Sequence, residues 1–504
     1  MKILLTTLNS KYVHSNLALK YLYASAEKSR RFIDILEFTV NNDEDYIFAE
    51  LLSGGYDIIC FSCYIWNVEK TLYLSENLKK ARPELLILMG GPEVSFDTIP
   101  FLSQHKFIDF IISGEGEVIF AELAEALLSE EPHFEKIKGL TYRMEGKIFV
   151  NPQAPILDFE SVAFPYHHLV CEDDKVMYYE SSRGCPFHCS YCLSSVDKKV
   201  RALSLERVKT DLSYFIYKKV KQVKFIDRTF NWDIKRCLEI IRYLIVTDNG
   251  ITNFHFELCG DLINEDMINI LMDAREGLFQ FEIGVQSTNE QTLASCNRSS
   301  DFPSLAENVK KLRELGNVNL HLDLIAGLPY EDYSSFKQSF NDVYALKAHR
   351  LQLGFLKLLK GAPIREQKEE FGYICREKAP YEIISNKYIS ALGIVRLKRI
   401  ENVLDLYYNR GGFENTIEFA KDNLAETPFD FYEELADYYY LKGFQHKSHK
   451  KEDLYRIFLL YASWKERFKP NTKEIIKELL GQDMGQTLNP EAVKKFERKG
   501  WEIL

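Results

Sequence analysis

Short apolar runs alternate with segments of helical periodicity over the first 130 residues of the chain. The runs at 2–8, 32–38, 57–62, 85–89 and 109–113 are largely apolar, which is typical of strands buried on both faces of a parallel sheet. Between them, apolar residues recur at helical spacing, as in the series Leu74, Leu78, Ala81 and the series Phe120, Leu123, Ala124, Leu127. The pattern predicts an α/β domain with a doubly wound, Rossmann-like parallel sheet at residues 1–130.

A second alternating series begins at residue 176 and ends near residue 374. It predicts strands at 176–180, 222–226, 253–257, 279–284, 319–325 and 350–356, with helices between them such as 205–218 and 234–246. Six such units predict an open, partial (β/α)6 barrel, and the chemistry of a barrel lies at the carboxyl ends of its strands.

The remaining segments connect or follow these two domains. Residues 131–175 contain Pro132, Pro152, Pro155 and Pro165 and predict an ordered linker with a hairpin at 140–150. Residues 375–504 predict a mostly helical C-terminal domain, with helices such as 384–403, 417–424 and 454–469. We interpret its aromatic run at 432–440 as helix core and its basic run at 446–451 as a solvated loop.

Composition narrows the function classes. A chain of 504 residues is too long for a single core and suits three domains. Its net charge of −10 gives no general affinity for nucleic acid or for an anionic membrane. Ten cysteines, with no sign of a signal peptide or a membrane span, predict a cytoplasmic protein with reduced thiols.

Three cysteines, Cys185, Cys189 and Cys192, follow the first strand of the second series at C-x3-C-x2-C spacing. Thiolates this close together suit a soft metal centre, above all an iron–sulfur cluster. The next cysteine is Cys237, so a [4Fe-4S] cluster held at three corners would leave one iron open to an outside ligand. Zinc and a chance arrangement are the alternatives. Zinc would take a fourth Cys or His, and His188 lies in the loop without a second C-x2-C pair.

This loop, C-x3-C-x-Tyr-Cys, resembles the signature of the radical S-adenosylmethionine (SAM) enzymes. In that family the open iron binds the amino and carboxylate groups of SAM, and an electron from the cluster cleaves the sulfonium C–S bond. The resemblance implies that the three cysteines are catalytic cluster ligands. Tyr191 directly precedes the last of them, where its ring could stack on a bound base.

Polar residues collect at the predicted carboxyl ends of the barrel strands. A SAM site needs carboxylates for the amine, a cation for the carboxylate and polar groups for the ribose, and the candidates are Glu257, Glu282, Gln286, Arg298 and Asp323. The segments 282–287, 297–298 and 323–329 look like family patterns. Many members have Gly-Gly-Glu after the second strand to hold the SAM amine, whereas this chain has Asp-Arg-Thr-Phe at 227–230, so Asp227 is the candidate substitute. Salt bridges at the rim are the alternative role for one or two of these residues.

Small residues collect at the carboxyl ends of the first sheet, where ligands of such sheets bind. The segments Phe-Ser-Cys-Tyr, Gly-Gly-Pro-Glu and Gly-Glu-Gly-Glu, in this order, resemble the cobalamin (B12)-binding domain found ahead of many radical SAM domains. Glycines there allow a bulky ligand to approach the backbone. The resemblance implies cobalamin contacts from Ser62, Gly90, Gly91, Pro92, Gly114, Glu115, Gly116 and Glu117.

The first domain departs from other B12 proteins at the lower face of the cobalt. The motif Asp-x-His-x-x-Gly, which supplies a cobalt-ligating His elsewhere, is absent, so the lower ligand is not expected to be a protein His. His14 lies in the first strand–helix loop, and we interpret it as a hydrogen-bonded loop residue. Cys60 and Cys63 spell C-x2-C, but Cys60 falls in a predicted buried strand, which favours packing over redox chemistry.

Together the resemblances imply a cobalamin-dependent radical SAM enzyme, with methylation of an unactivated carbon as the favoured reaction. Cyclisation or oxidation without methyl transfer is one alternative, and a non-catalytic corrinoid or redox sensor is another. A methylthiotransferase fits less well, because that relative carries three further cluster cysteines in its N-terminal domain. The expected partners are a small-molecule or peptide substrate and a reductant such as flavodoxin or ferredoxin.

Overall fold

The computed structural model describes every residue except 170, 173, 198, 466–470 and 502–504. No helix among the described residues is long and apolar enough to cross a membrane. Two parallel sheets follow one another along the chain, and a helical region follows the second sheet.

The first sheet has seven strands in the order β2-β1-β3-β4-β5-β6-β7. They are β1 (Ile3–Asn9), β2 (Ile33–Thr39), β3 (Ile58–Ser62), β4 (Leu86–Gly90), β5 (Phe110–Ile112), β6 (Leu140–Met144) and β7 (Lys147–Val150). Its helices are α1 (Leu17–Ser25), α2 (Glu44–Ser53), α3 (Val68–Ala81), α4 (Thr98–Gln104) and α5 (Gly116–Leu128). The first five strands pair in parallel, which confirms the predicted doubly wound sheet.

The two faces of this sheet carry separate cores. Leu4 and Ile59 point into one core, whereas their neighbours Ile3 and Ile58 point into the other. Strands covered on both faces must be apolar at every position, which is why the sequence shows continuous runs instead of alternation. The hairpin predicted within the linker forms as β6 and β7, but it pairs antiparallel with β5 and so extends this sheet.

The second sheet is parallel throughout, in the order β15-β14-β13-β12-β11-β8. Its strands are β8 (Met177–Tyr179), β11 (Gln222–Phe225), β12 (Asn253–Leu258), β13 (Phe279–Gln286), β14 (Val318–Ala326) and β15 (Arg350–Phe355). Two short strands, β9 (Ser182–Arg183) and β10 (Arg201–Ala202), pair with each other beside its first strand. Sequential order with open edges is the predicted partial (β/α)6 barrel.

Six helices connect the barrel strands, and each begins at a side-chain cap. They are α6 (Leu205–Tyr217), α7 (Ile234–Val246), α8 (Glu265–Leu271), α9 (Glu290–Ser295), α10 (Phe302–Leu315) and α11 (Tyr333–Tyr344). Their caps are Ser204, Asp233, Asn264, Asn289, Asp301 and Asp332, whose side-chain oxygens accept bonds from backbone amides of the first turn. These caps fix the residue at which each helix begins after its strand and loop.

The C-terminal region is mostly helical, as predicted. It contains α12 (Ala391–Leu404), α13 (Glu414–Leu424), α14 (Pro428–Leu441), α15 (Lys451–Lys465), α16 (Thr472–Thr487) and α17 (Pro490–Lys499). The helix predicted at 384–403 begins only at Ala391, because β17 (Ile383–Ser385) pairs with β16 (Ile374–Cys375). Part of the helix predicted at 454–469 lies outside the described residues. A single hydrophobic core runs from the barrel into these helices.

The three parts also meet away from the linker. Glu93, in the loop after β4, is buried and accepts a bond from Tyr381 Oη at 2.8 Å. Lys360, after β15, donates to the Glu93 carbonyl at 3.0 Å. On the other side, Ser15 Oγ donates to the Val176 carbonyl at 3.0 Å. The first domain therefore contacts the rest of the chain at these places as well as through the linker.

Candidate functional site

The three predicted cluster cysteines line one cavity of about 190 Å³ at the carboxyl ends of the barrel strands, and all three are free thiols. We call it the cluster cavity. The loop that carries them is held by its backbone: Ser190 N donates to the Cys296 carbonyl at 2.8 Å. Gly184 has φ +91°, and a Cβ there would lie 2.5 Å from the Lys199 carbonyl oxygen. Only glycine therefore fits the turn that precedes the first cysteine.

The spacing of the thiols argues against one zinc ion. In the part of the chain that the structure describes, the His, Cys, Asp or Glu ligand atoms that form a group of three within 4.8 Å belong to His255, Glu282 and His321. At least one pair among the three cysteine sulfurs is therefore farther apart than this. Sulfurs on one tetrahedral zinc ion, with Zn–S bonds of about 2.3 Å, lie about 3.8 Å apart. The wider spacing suits separate corners of an iron–sulfur cluster.

The structure brings most of the predicted SAM contacts to the same cavity. Tyr191, Glu257, Glu282, Gln286, Arg298 and Asp323 all line it. Arg298 Nη1 donates to Tyr191 Oη at 3.2 Å and lies 3.8 Å from Cys189 Sγ. One guanidinium thus lies between the aromatic ring and a cluster cysteine.

Three of these residues have buried polar atoms without a hydrogen-bond partner: Gln286 Oε1, Arg298 Nε and Asp323 Oδ1. A buried polar atom without a partner costs about 1–3 kcal/mol, so such atoms are rare unless a ligand satisfies them. Two acceptors and one donor facing a single cavity suit a zwitterionic molecule with an amine and a carboxylate. The residues present therefore fit SAM.

A charged layer lies along the strands that form this cavity. Lys224 Nζ is 3.0 Å from Glu282 Oε2 and 4.0 Å from Glu257 Oε1, and His255 Nε2 is 3.0 Å from Glu282 Oε2. Burial opposes ionisation of Glu282, but His255 and Lys224 outweigh it and lower its pKa to about 2. Burial and then the Glu282 and Glu257 carboxylates raise the pKa of Asp323 to about 8. At neutral pH Glu282 is ionised while Asp323 holds its proton.

Asp227 does not reach the cavity, which corrects the prediction that it holds the SAM amine. It is 1% exposed, and its carboxylate accepts bonds from Ser181 N at 2.7 Å, Ser181 Oγ at 2.6 Å and Ser182 Oγ at 2.6 Å. Both carboxylate oxygens thus accept hydrogen bonds from the segment that leads into the cysteine loop. Asp227 fixes that segment and does not line the cluster cavity.

The first sheet has its own crevice of about 120 Å³ at the carboxyl ends of its strands, which we call the sheet crevice. Of the predicted cobalamin contacts, it is lined by Ser62, Gly90, Gly91, Gly114, Gly116 and Glu117, together with apolar residues such as Leu5, Leu19 and Ile112. Gly114 has φ +89° and nothing within 4 Å of an added Cβ, so the backbone is open there. An apolar crevice with open glycine backbone fits part of a bulky cofactor.

Two of the predicted contacts, Pro92 and Glu115, do not line the crevice, and Gly91, which lines it, also has a packing role. A Cβ on Gly91 would lie 2.6 Å from the Cys63 carbonyl oxygen, so this glycine is required by backbone packing. The Glu115 carboxylate is likewise absent from the crevice, because it faces the barrel, where Arg183 Nη1 and Arg201 Nη1 lie 2.9 and 3.0 Å away.

Arg183 is the centre of an ion cluster that joins the two domains. Its guanidinium lies 2.9 Å from Glu115, 2.6 Å from Glu117 and 2.9 Å from Glu180, and its side chain is 11% exposed. Burial raises the pKa of Glu180 to about 7, against the opposing effect of Arg183. Arg183 precedes Cys185 by two residues, so this cluster of ion pairs fixes the cysteine loop against the loop after β5.

A third cavity of about 580 Å³ lies between the domains, and we call it the inter-domain cavity. It shares Ala18, Tyr64 and Glu117 with the sheet crevice. It shares Arg228 and Glu257 with the cluster cavity. The two predicted cofactor sites therefore open onto a common space.

His14 and the cysteines outside the cysteine loop also have defined positions. His14 borders the inter-domain cavity, and its Nδ1 lies 2.7 Å from Tyr178 Oη, as expected of a hydrogen-bonded loop residue. Cys60 and Cys63 are buried, and burial raises the pKa of both thiols, so packing is their role. Sequence reasoning missed Cys259, which directly follows β12 and lines the cluster cavity. Its position two residues after Glu257 was the available signal.

Family models match three consecutive parts of the chain. The B12 binding domain matches residues 3–124, and the radical SAM superfamily matches residues 179–343. The chain therefore contains a B12-binding domain followed by a radical SAM domain. Residues 369–501 match the family described as protein of unknown function DUF4080.

Individual proteins extend this likeness. The cobalamin-dependent radical SAM methyltransferase TokK of Streptomyces tokunonensis is 25% identical over 63% of this chain and 49% of its own length. The anaerobic magnesium-protoporphyrin IX monomethyl ester cyclase of Synechocystis is 25% identical over 50% of this chain and 51% of its own. The chain thus spans about half the length of these curated relatives. The solved structure of the cobalamin-dependent SAM radical enzyme OxsB has a TM-score of 0.64 at 14% identity, over 99% of this chain and 83% of that one, which shows the same fold.

Proposed function

We propose that this radical SAM protein is a cobalamin-dependent methyltransferase that acts on an unactivated carbon of a small molecule or peptide. TokK, whose name states such an activity, supports the reaction class. An electron donor such as flavodoxin or ferredoxin would serve as the reductant.

The observation that carries the proposal is the continuity of the three cavities. Glu117 and Tyr64 belong to both the sheet crevice and the inter-domain cavity, and Arg228 and Glu257 belong to both the inter-domain cavity and the cluster cavity. A substrate in the middle would face both cofactor sites. Methyl transfer to a carbon that lacks activation needs both faces at once, whereas radical chemistry alone needs only one.

Each group has a set of residues that would hold it. Cys185, Cys189 and Cys192 would ligate the [4Fe-4S] cluster, and Arg298 and Asp323 would bind SAM beside it. When bound, the cluster supplies the electron that cleaves SAM, and cobalamin supplies a methyl carrier.

The chain's own contribution is position, charge and shelter. Ser182 and Asp227 fix the entry to the cysteine loop, and Arg183 fixes it against the first domain. Glu282 keeps its negative charge over the physiological pH range because its pKa is about 2. The position of the inter-domain cavity between two domains would limit the access of water to groups bound there.

The test uses the protein reconstituted anaerobically with iron, sulfide and cobalamin, supplied with reductant and SAM labelled in its methyl group. We expect cobalamin to bind, SAM to be cleaved to 5′-deoxyadenosine, and label to enter a product. Replacing Cys185, Cys189 and Cys192 together with Ala removes cleavage. Cys375→Ala, in a strand outside the cavity, is the matched control and keeps it. Cleavage by the triple variant would reject the assigned cluster ligands.

Cyclisation or oxidation without methyl transfer is the second candidate, and the likeness to the Synechocystis cyclase favours it over other chemistries. The same labelled SAM separates the two reactions. Substrate-dependent 5′-deoxyadenosine formation with no label in the product would assign the non-methylating reaction. Absence of any SAM cleavage by fully loaded protein would leave the corrinoid or redox sensor.

A further inference from the structure

The charged side chains that line the inter-domain cavity are almost fully paired. Six charged residues line it: Glu117, Glu180, Arg183, Lys224, Arg228 and Glu257. Arg183 pairs with Glu117 and Glu180 at 2.6 and 2.9 Å. Lys224 lies 3.0 Å from Glu282 and 4.0 Å from Glu257. Five of the six therefore have a counter-ion within 4.0 Å.

Arg228 is the exception. It is exposed to the cavity space, and among the described residues no carboxylate lies within 4.0 Å of its guanidinium and no hydrogen bond leaves it. It lies three residues after the end of β11 and lines both the inter-domain cavity and the cluster cavity. An unpaired guanidinium is a planar fork of donors that matches a carboxylate or a phosphate, and the walls of a cavity strengthen its field.

The SAM carboxylate already has a different partner. Arg298 lies deeper, beside Cys189 and Tyr191, and its Nε is buried without an acceptor. That group therefore matches the carboxylate of a molecule bound at the cysteine loop. Arg228 lies on the side of the cluster cavity that opens between the domains, so its guanidinium, which has no carboxylate within 4.0 Å among the described residues, faces the space left for the substrate.

We propose that Arg228 is the specificity residue that binds an anionic group, a carboxylate or a phosphate, on the substrate. The inference rests on the proposed function, because it assumes that the substrate occupies the inter-domain cavity. The cavity of about 580 Å³ lies in the range of small-molecule sites. The expected substrate is therefore an acidic small molecule, or an acidic part of a peptide, that carries its negative charge close to the reacting carbon.

The experiment uses the reconstituted holoenzyme with methyl-labelled SAM and an extract of the cells that make the protein, separated by anion exchange into cationic, neutral and anionic fractions. Two quantities are measured for each fraction: stimulation of 5′-deoxyadenosine formation and transfer of label. We expect the anionic fraction alone to give both. Treating that fraction with a phosphatase abolishes stimulation if the group is a phosphate ester and leaves it unchanged if the group is a carboxylate.

Variants assign the effect to the residue. Arg228→Gln should lower stimulation by the anionic fraction by about 30-fold or more, because one partner of an enclosed charge pair is lost. SAM affinity and cobalamin affinity should stay within about twofold. Arg242→Gln makes the same change on α7, where the side chain is 54% exposed, and should alter nothing. Reaction of Arg228 with phenylglyoxal, mapped by peptide mass, should be blocked by the anionic fraction.

The outcomes separate the two levels of the argument. Stimulation by the neutral or cationic fraction with label transfer would keep the methyltransferase and overturn the role of Arg228. Stimulation by the anionic fraction without label would keep the role of Arg228 and overturn methyl transfer. Loss of SAM or cobalamin affinity in Arg228→Gln would assign the guanidinium to a cofactor and overturn the inference.

Discussion

Replacing Arg183 with Leu should loosen the joint between the B12-binding domain and the barrel. The change removes the shared counter-ion of Glu115, Glu117 and Glu180, whose side chains are 25%, 8% and 15% exposed. Breaking a buried pair costs about 3–5 kcal/mol, because the remaining charges lie uncompensated. Arg201 still reaches Glu115, so we take the lower end, about 3 kcal/mol.

Hydrogen exchange of the peptide that spans the start of α5 measures this opening directly. A loss of about 3 kcal/mol corresponds to exchange roughly 100-fold faster, since each 1.4 kcal/mol is about tenfold. The effect should be smaller at pH 6 than at pH 8. The pKa of Glu180 is already raised to about 7, and without Arg183 the carboxylates take up protons more readily as the pH falls, which relieves their repulsion.

Arg275→Leu is the matched control, because Arg275 pairs with Asp248 at 2.8 Å within the barrel and touches neither domain joint. It should leave exchange at α5 unchanged at both pH values. If Arg183→Leu exchanges no faster than this control, the ion cluster does not hold the domains together and the reasoning fails.

Three further outcomes follow from the site. Gly184→Ala should lower the amount of iron bound per chain, because the added Cβ would lie 2.5 Å from the Lys199 carbonyl oxygen. Gly146→Ala is the control: Gly146 also has a positive φ, +76°, but has open space around it, so this variant should bind iron normally. Asp227→Asn should lower the free energy of unfolding by about 1–3 kcal/mol and also reduce the iron content, because an amide nitrogen would then face the hydroxyl donors of Ser181 and Ser182. An unchanged free energy of unfolding would contradict these hydrogen bonds. Asp323, with a pKa raised to about 8, makes the fold less stable as pH rises from about 4 to 8, so Asp323→Asn should flatten the decline in melting temperature between pH 5.5 and 8.

The sequence was most informative where a side chain's surroundings follow from its place on a strand. Continuous apolar runs predicted the parallel strands, and strand ends predicted that Glu257, Glu282 and Asp323 share one cavity. Periodicity also placed α7 at its observed bounds, Ile234–Val246. These features depend on local pattern and on the rule that parallel strands end together.

The sequence was less informative where the direction of one side chain decides its role. Asp227 stands at the correct strand end, but its carboxylate turns back to Ser181 and Ser182. Glu115 lies in the expected loop, yet it faces a guanidinium 68 residues along the chain. The pairing of the hairpin with β5 is likewise a long-range contact that no local pattern encodes.

The buried contact of Glu93 with Tyr381 has a consequence for how ligands enter. A domain that is attached at one point can rotate about that point, whereas a second contact opposes the rotation. The Ser15 contact with Val176 is such a second contact, so rotation of the first domain about the Glu93 contact would have to break it. A ligand that enters the inter-domain cavity without such a rotation leaves both contacts intact.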